Sequence, residues 1–250
     1  MALCEVYWFS QTLDRRVSMN VILPEVGKPP YATFYLLHGL SDDHTRWARQ
    51  TSIERYVEGL PLIVVMPDGA RGFYTRHNQG HDYAKYIAQD VVQFVERNFP
   101  ARPRRQSRCI GGLSMGGYGA LRIALGYPDL FISATSHSGA LMIGSRKRKG
   151  TVLADWEYAQ IFGRNPVGTD HDLLHLAMNA RQAGRLPKIR IDCGTEDFLF
   201  QDNREFTKRL TEMGVPHEYE EFPGAHNWTY WDEHVQDALK FHAKHLKLKV

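Results

Sequence analysis

The chain has 250 residues, of which 43% are hydrophobic and 24% are charged, and its net charge is +3. That composition is typical of a globular protein and excludes a disordered or collagen-like chain. The small net charge gives no reason to expect a nucleic-acid partner. Because a chain of this length can bury a sizeable core, we expect one α/β domain over residues 1–250 that needs neither disulfide bonds nor a structural metal.

The cysteines and the N-terminal residues bear on the compartment. Cys4, Cys109 and Cys193 cannot all be paired with one another, and their spacing is not that of a disulfide framework. Residues 1–10 include Glu5 and lack the basic and apolar regions of a signal peptide. No window is long and apolar enough to predict a transmembrane helix. For a complete sequence these features predict a cytoplasmic protein without a membrane partner.

The hydrophobic pattern predicts strands that alternate with helices. Alternating apolar and polar residues at 4–13 and 16–23 predict an opening antiparallel pair of strands. Short apolar runs predict six further strands, at 33–37, 62–66, 108–112, 131–136, 189–193 and 217–222. Helical periodicity lies between them, at 83–98, 115–125, 201–213 and 230–246. This order favours an α/β fold, with a mostly parallel central sheet covered by helices on both faces.

The stretch 141–186 is too long for one crossover between strands. We expect it to contain a small cap inserted over the carboxyl ends of the strands, with a surface excursion away from the site as the alternative. The basic run Arg146-Lys147-Arg148-Lys149 lies inside it. Such a run predicts a solvated loop, with a site for an anionic substrate or a membrane surface as the alternative.

A serine lies where a predicted strand meets a predicted helix. The residues Gly112-Leu113-Ser114-Met115-Gly116 fit the G-x-S-x-G pattern in the strand–turn–helix context that this motif requires. The glycines allow strand and helix to approach, and the turn presents the hydroxyl at the N-terminus of a helix, which favours negative charge. We expect Ser114 to be a catalytic nucleophile.

A serine hydroxyl needs a base, and in this fold the acid and then the histidine follow the serine along the chain. His226 comes after the last predicted strand and before the last helix, so we expect it to be the base. Asp197 comes after the preceding strand and is the expected acid, with Glu196 as the nearest rival. Asp192 lies within that strand and Asp202 begins the next helix, so neither fits as well.

An ester hydrolase of this kind also needs two N–H donors for the oxyanion. The residue after the nucleophile, Met115, supplies one, and the loop His38-Gly39-Leu40 supplies the other, which we expect to be the N–H of Leu40. Candidates for an acyl or alcohol pocket, with core packing as the alternative, are the aromatic residues Trp47, Tyr74, Trp156 and Trp228.

As a set, these motifs resemble the esterase D-type branch of the α/β hydrolases, which includes S-formylglutathione hydrolases, tributyrin-type acetyl esterases, feruloyl esterases and mycolyltransferases. The likeness runs from about residue 33 to the C-terminus. It is carried by His38-Gly39-Leu40, Pro67-Asp68-Gly69, the 112–120 segment, Ser138-Gly139-Ala140, Cys193 to Asp197 and Gly224 to Trp228. The segments 197–203 and 228–232 are most similar to those of the tributyrin esterases.

The resemblance implies a serine carboxylesterase that hydrolyses short acyl esters, acetyl to butyryl, without a cofactor. Feruloyl or cinnamoyl esterase, acetyl-xylan esterase, S-formylglutathione hydrolase-like thioesterase and acyltransferase are the alternative activities. The chain lacks the longer segment that formylglutathione hydrolases have after the oxyanion loop, which argues against a glutathione thioester. A catalytically silent binding protein could also keep the fold. The sequence leaves a homo-oligomer open.

Two histidines suggest a metal site only weakly. His171 and His175 are four residues apart with Asp170 and Asp172 beside them, a spacing that could bind a metal on one helix face. Because a metal site needs further ligands, we expect a polar helix face and no metal.

Overall fold

A computed structural model describes residues 1–146 and 153–248, and in them one eight-stranded sheet carries helices on both faces. The order of strands across the sheet is β1-β2-β4-β3-β5-β6-β7-β8. β1 (Ala2–Ser10) and β2 (Arg15–Leu23) are antiparallel. The parallel strands are β3 (Ala32–Leu37), β4 (Leu62–Pro67), β5 (Arg108–Leu113), β6 (Ser133–His137), β7 (Lys188–Gly194) and β8 (Glu218–Phe222). The predicted α/β class with a mostly parallel sheet is confirmed.

The central strands are buried on both faces, as a parallel sheet between two helical layers requires. In β3, Phe34 and Leu36 pack into one core cluster while Tyr35 and Leu37 pack into the other. This is why these strands appear in the sequence as continuous apolar runs rather than as alternating ones.

Two layers of helices cover the sheet. One layer holds α1 (Arg46–Gln50), α2 (Ile53–Val57) and the long α9 (Trp228–Leu246). The other core cluster takes residues from α3 (Tyr83–Lys85), a π-helical turn (Tyr86–Val91), α4 (Val92–Asn98), α5 (Met115–Gly126), α6 (Asp155–Phe162), α7 (Leu173–Gln182) and α8 (Phe200–Glu212). The helix predicted at 83–98 is therefore divided by the π-helical turn. A 3-10 turn (Arg105–Ser107) precedes β5.

The long stretch between β6 and β7 has two different parts. Helix α7 packs beside α5 and α8, and its buried residues Leu173 and Leu176 belong to the core under the sheet. It thus belongs to the layer of helices on that face. The part of this stretch before α7, which includes α6, remains the candidate for a segment above the strand ends. Its role as a cap stays a prediction. Most of the basic run, residues 147–149, lies outside the described residues.

The carboxyl ends of the parallel strands bring distant loops to one edge of the sheet. His38 follows β3, Ser114 follows β5, Asp197 lies three residues after β7 and His226 lies four residues after β8. In the described ranges, 1–146 and 153–248, no helix is long and apolar enough to cross a lipid bilayer.

Candidate active site

Ser114 lies at a sharp turn between β5 and α5. Its φ of 53° and ψ of −114° are unusual for a residue with a side chain, and its N–H donates to the carbonyl oxygen of His137 at 2.9 Å. The glycines around it are needed for space. A Cβ at Gly112 would lie 2.6 Å from the carbonyl oxygen of Gly116, and one at Gly116 would lie 2.6 Å from that of His38. The chain therefore makes the strand–turn–helix geometry that the sequence predicts.

Ser114, His226 and Asp197 form a continuous chain of hydrogen bonds. Nε2 of His226 lies 3.0 Å from Oγ of Ser114, and Nδ1 of His226 lies 2.7 Å from a carboxylate oxygen of Asp197. An ionised carboxylate can only accept, so Nδ1 carries the proton and Nε2 is left to accept from the serine hydroxyl. The Asp197 side chain is fully buried, and its other oxygen accepts the N–H of Leu199 at 2.7 Å.

The rival carboxylates lie elsewhere. Glu196 is exposed. It accepts hydrogen bonds from the hydroxyl of Thr195 and from the N–H of Gly224, and these two bonds lower the pKa of its carboxyl. It therefore joins the loop after β7 to the loop after β8 instead of contacting His226. Asp192 is buried against His137 and Tyr230, and Asp202 pairs with Arg146.

The backbone N–H groups of Leu40 and Met115 are the predicted oxyanion donors. Among the described residues, neither the Leu40 N–H nor the Met115 N–H donates to a protein acceptor. The loop that carries Leu40 lies over the serine, since a Cβ at Gly39 would be 3.8 Å from Cβ of Ser114. Unpaired N–H groups in these two places are what the predicted oxyanion hole requires.

His38 holds the peptide that contains the Leu40 N–H. The N–H of Gly69 donates to Nε2 of His38 at 2.9 Å, so the proton of the neutral ring lies on Nδ1. Nδ1 then donates to the carbonyl oxygen of Gly39 at 2.8 Å. Because that carbonyl and the Leu40 N–H belong to one planar trans peptide, the N–H is directed away from His38.

Trp47 and Tyr74, two of the predicted pocket residues, are completely enclosed in the core. Nε1 of Trp47 donates to the carbonyl oxygen of Leu37 at 3.0 Å. The hydroxyl of Tyr74 donates to the carbonyl oxygen of His38 at 3.2 Å. These contacts support the predicted oxyanion loop, residues 38–40, from behind. The sequence left pocket lining and core packing open for these two residues, and their complete enclosure favours core packing.

The other two predicted pocket residues lie at different places. Trp156 is 70% exposed on α6. Trp228 is half-buried at the start of α9, where its ring makes edge contacts with Trp47 and Trp231 and lies under the guanidinium of Arg46. Of the four, Trp228 is the aromatic residue that reaches the neighbourhood of His226 without being enclosed.

Two aromatic residues that the sequence reading missed flank the imidazole of His226. The Trp231 ring contacts it edge-on at 4.9 Å between centroids, and the Phe198 ring lies at 4.5 Å. Nε1 of Trp231 is anchored on Oγ of Ser138 at 3.3 Å. The spacing of Trp228 and Trp231, three residues apart on the helix that follows His226, is the sequence signal that could have indicated Trp231.

An arginine joins the end of the predicted oxyanion loop to α6. The guanidinium of Arg71 makes two hydrogen bonds to the carboxylate of Glu157, at 2.6 and 2.8 Å, and a third to Oγ of Ser41 at 2.8 Å. The ion pair raises the pKa of Arg71 above its ordinary value. The residue next to Leu40 is thereby tied to the segment predicted as a cap.

The two histidines of the weak metal motif have other contacts. Nδ1 of His171 lies 3.0 Å from the hydroxyl of Thr75, and Nε2 of His175 lies 3.0 Å from the amide of Asn179. Burial, and then the charge of Arg122, lower the pKa of His171 to about 4. Within the part of the chain that the structure describes, no three His, Cys, Asp or Glu side chains are grouped so as to hold a metal.

The fold and this arrangement define a class, the serine hydrolases with an α/β-hydrolase fold. Residues 10–242 match a family model described as "Putative esterase", and the chain belongs to that esterase family.

Individual relatives agree with this assignment. The chain is 30% identical to an acetyl esterase of Caldicellulosiruptor saccharolyticus, over 98% of this chain and 99% of that protein. Among solved structures it is similar to FphF of Staphylococcus aureus, a fluorophosphonate-binding serine hydrolase, with 33% identity, a TM-score of 0.88 and coverage of 96% and 98%. It is also similar to an S-formylglutathione hydrolase (FrmB) of Staphylococcus aureus, with 34% identity, a TM-score of 0.85 and the same coverage. The protein is a serine carboxylic ester hydrolase, which confirms the predicted class of enzyme.

Proposed function

We propose that Ser114 is the nucleophile, His226 the general base and acid, and Asp197 the residue that orients His226, in an esterase for short acyl chains. The hydrogen-bonded chain from Ser114 through His226 to Asp197 carries this proposal. The N–H groups of Leu40 and Met115 are the proposed oxyanion hole.

The proposed reaction has two halves that use the same groups. In the first, Oγ of Ser114 attacks the ester carbonyl carbon while its proton passes to Nε2 of His226. The tetrahedral intermediate collapses, and the alcohol leaves with that proton, so an acyl-serine remains. In the second half His226 takes a proton from water as the water oxygen attacks the acyl carbon. The second tetrahedral intermediate collapses, Oγ of Ser114 leaves with that proton, and the acid is released. Asp197 stabilises the imidazolium and does not take the proton.

A serine-directed fluorophosphonate tests the nucleophile. One adduct is expected on the peptide that contains Ser114, and none in Ser114→Ala. Loss of Ser114 or His226 should lower kcat by about four to six orders of magnitude, and Asp197→Asn by about four. Glu196→Gln and Asp202→Asn are the matched controls. Neither carboxylate belongs to the hydrogen-bonded chain of Ser114, His226 and Asp197, so both variants should keep most of the activity. An active Asp197→Asn beside an inactive Glu196→Gln would contradict the assignment.

The short acyl preference is supported by two observations. The acetyl esterase of Caldicellulosiruptor saccharolyticus is similar to this chain over nearly its whole length. The half-buried indole of Trp228 lies between Trp47, below the oxyanion loop, and Trp231, beside His226. A bulky ring there limits the room for an acyl chain, and each methylene that is buried gains about 0.8 kcal/mol only while room remains.

A panel of nitrophenyl esters tests the preference. We expect kcat/KM to rise or hold from acetyl to butyryl and to fall by octanoyl. Trp228→Ala should shift the optimum to longer chains, while Trp156→Ala, which changes an exposed ring on α6, should not. A wild-type enzyme that prefers decanoyl esters would refute the proposal, and higher kcat/KM on methyl ferulate than on the acetate would favour a feruloyl esterase.

A second candidate substrate is S-formylglutathione. It is favoured by the 34% identity with FrmB, an S-formylglutathione hydrolase, over 96% of this chain. The same groups would act on a thioester, with a thiol as the leaving group. Direct comparison of kcat/KM for S-formylglutathione and nitrophenyl acetate separates the two candidates.

A further inference from the structure

The two edges of the sheet differ in their side chains. β8 presents the carboxylates of Glu218, Glu220 and Glu221, and charged edges discourage pairing with another strand. β1, at the other edge, is nine residues long and contains one charged residue, Glu5. A long edge strand with few charges offers a row of unpaired N–H and carbonyl groups to a further strand.

The outward face of β1 is also apolar. Alternate residues of the strand, Cys4, Val6 and Trp8, are partly buried against the core. The residues between them point outward, and Leu3, Tyr7 and Phe9 are 46%, 64% and 44% exposed. Of the seven large apolar side chains that the described residues expose strongly, three therefore lie on this one strand face.

We propose that β1 pairs antiparallel with β1 of a second copy of this chain, about a two-fold axis that passes at Val6. This register sets Leu3 opposite Phe9 of the second copy and Glu5 opposite Tyr7 of the second copy. Each exposed apolar side chain at the ends then meets another. In the single copy the hydroxyl of Tyr7 donates to Glu5 of its own chain. In the pair that hydroxyl lies opposite Glu5 of the second copy and can donate to it instead. Directly opposite pairs of these kinds stabilise a sheet.

The neighbouring registers are worse. Side chains alternate between faces, so a two-fold axis normal to the sheet must pass where a residue lies opposite its own copy. An axis at Glu5 would set two carboxylates opposite each other, and an axis at Tyr7 would set Glu5 opposite Phe9 of the second copy. The order apolar, acceptor, donor, apolar along Leu3, Glu5, Tyr7 and Phe9 is complementary to itself only about Val6.

The paired β1 strands would join the two sheets into one continuous sheet. The candidate active site of each copy would not change. β2, β4 and β3 lie between β1 and β5, which precedes Ser114. Esterase activity per chain should therefore be the same in the pair and in a separated copy, and the outcome is independent of the proposed substrate.

Light scattering after size exclusion tests the proposal on the intact enzyme. At micromolar concentration the wild type should have twice the 28.7 kDa of one chain. The double variant Tyr7→Lys/Phe9→Lys should have the mass of one chain with unchanged kcat/KM, because both side chains are exposed in the single copy. Val167→Lys, which changes a 52% exposed side chain outside β1, is the matched control and should keep the pair. A single-chain wild type, or a pair that survives Tyr7→Lys/Phe9→Lys, would overturn the proposal.

Cysteine cross-linking tests the register. In a Cys4→Ser background, Val6→Cys should give a covalent pair on mild oxidation, because residues directly opposite in an antiparallel ladder have Cα atoms about 4.5–5.5 Å apart, within disulfide range. Tyr7→Cys should not, because in this register the two copies of position 7 are diagonal, about 8 Å apart, and beyond that range. Cys109 and Cys193 are buried and should not interfere. Cross-linking of Tyr7→Cys without that of Val6→Cys would refute the register.

Discussion

His38 offers a sharp test of how the oxyanion loop is held. Its ring accepts the Gly69 N–H at Nε2 and donates from Nδ1 to the Gly39 carbonyl, which fixes the peptide of the proposed donor Leu40. We compare His38→Asn with His38→Gln. The amide nitrogen of asparagine can occupy the place of Nδ1 and keep the bond to Gly39. The longer glutamine can place its amide oxygen at Nε2 and keep the bond to Gly69, but it loses the donor to Gly39.

The expected effect on catalysis is large for one variant only. Loss of one oxyanion donor costs about 2.7–4 kcal/mol of transition-state stabilisation, or about 10²–10³ in kcat. His38→Gln should approach that loss with KM nearly unchanged, because the oxyanion forms only in the transition state. His38→Asn should lose much less. Both variants leave one buried group without its partner, so each should lower the free energy of unfolding by about 1–3 kcal/mol.

The assay is a kcat and KM measurement on nitrophenyl acetate beside urea unfolding of each variant. Tyr74→Phe is the control, because it removes only the bond to the His38 carbonyl and should cost about 0.5–1.5 kcal/mol of stability with kcat close to that of the wild type. Wild-type kcat in His38→Gln, or an equal loss of kcat in the two His38 variants, would refute the role of the Gly39 peptide.

Three further predictions concern the surroundings of the site. Trp231→Leu should lower kcat by roughly tenfold, an effect of about 1.4 kcal/mol, because the ring that contacts the His226 imidazole edge-on is lost; a wild-type kcat would contradict this. Arg71→Lys cannot keep both hydrogen bonds to Glu157, so in the wild-type background it should lower kcat. In a Glu157→Gln background the same change should lower kcat less, and additive losses would argue against coupling between the two residues. His171 has a folded-state pKa of about 4, below its ordinary value, so the unfolded chain takes up its proton first as the pH falls. The wild type should lose stability between about pH 6.5 and 4, and His171→Gln should lose less over that window in urea unfolding.

Much of the fold follows from local patterns of the sequence. The buried faces of a strand determine which of its successive residues are apolar. The central strands are therefore continuous apolar runs, whereas apolar and polar residues alternate in β1 and β2. The turn at Ser114 is similar, because only glycine fits where a Cβ would meet the Gly116 or His38 carbonyl oxygen. Chain order then indicates His226 and Asp197, because parallel strands deliver their following loops to one edge.

The tertiary structure decides what depends on contacts between distant segments. The sequence could not separate Asp197 from Glu196, because the direction of each side chain depends on how the loop after β7 meets the loop after β8. The sequence left Trp47 and Tyr74 open between a pocket and the core, and packing encloses them behind the predicted oxyanion loop. Helix α7 looked like part of an insertion, yet its apolar face is buried beside α5. In each case the deciding neighbours are ten or more residues away along the chain, and only the folded packing of the layers brings them together.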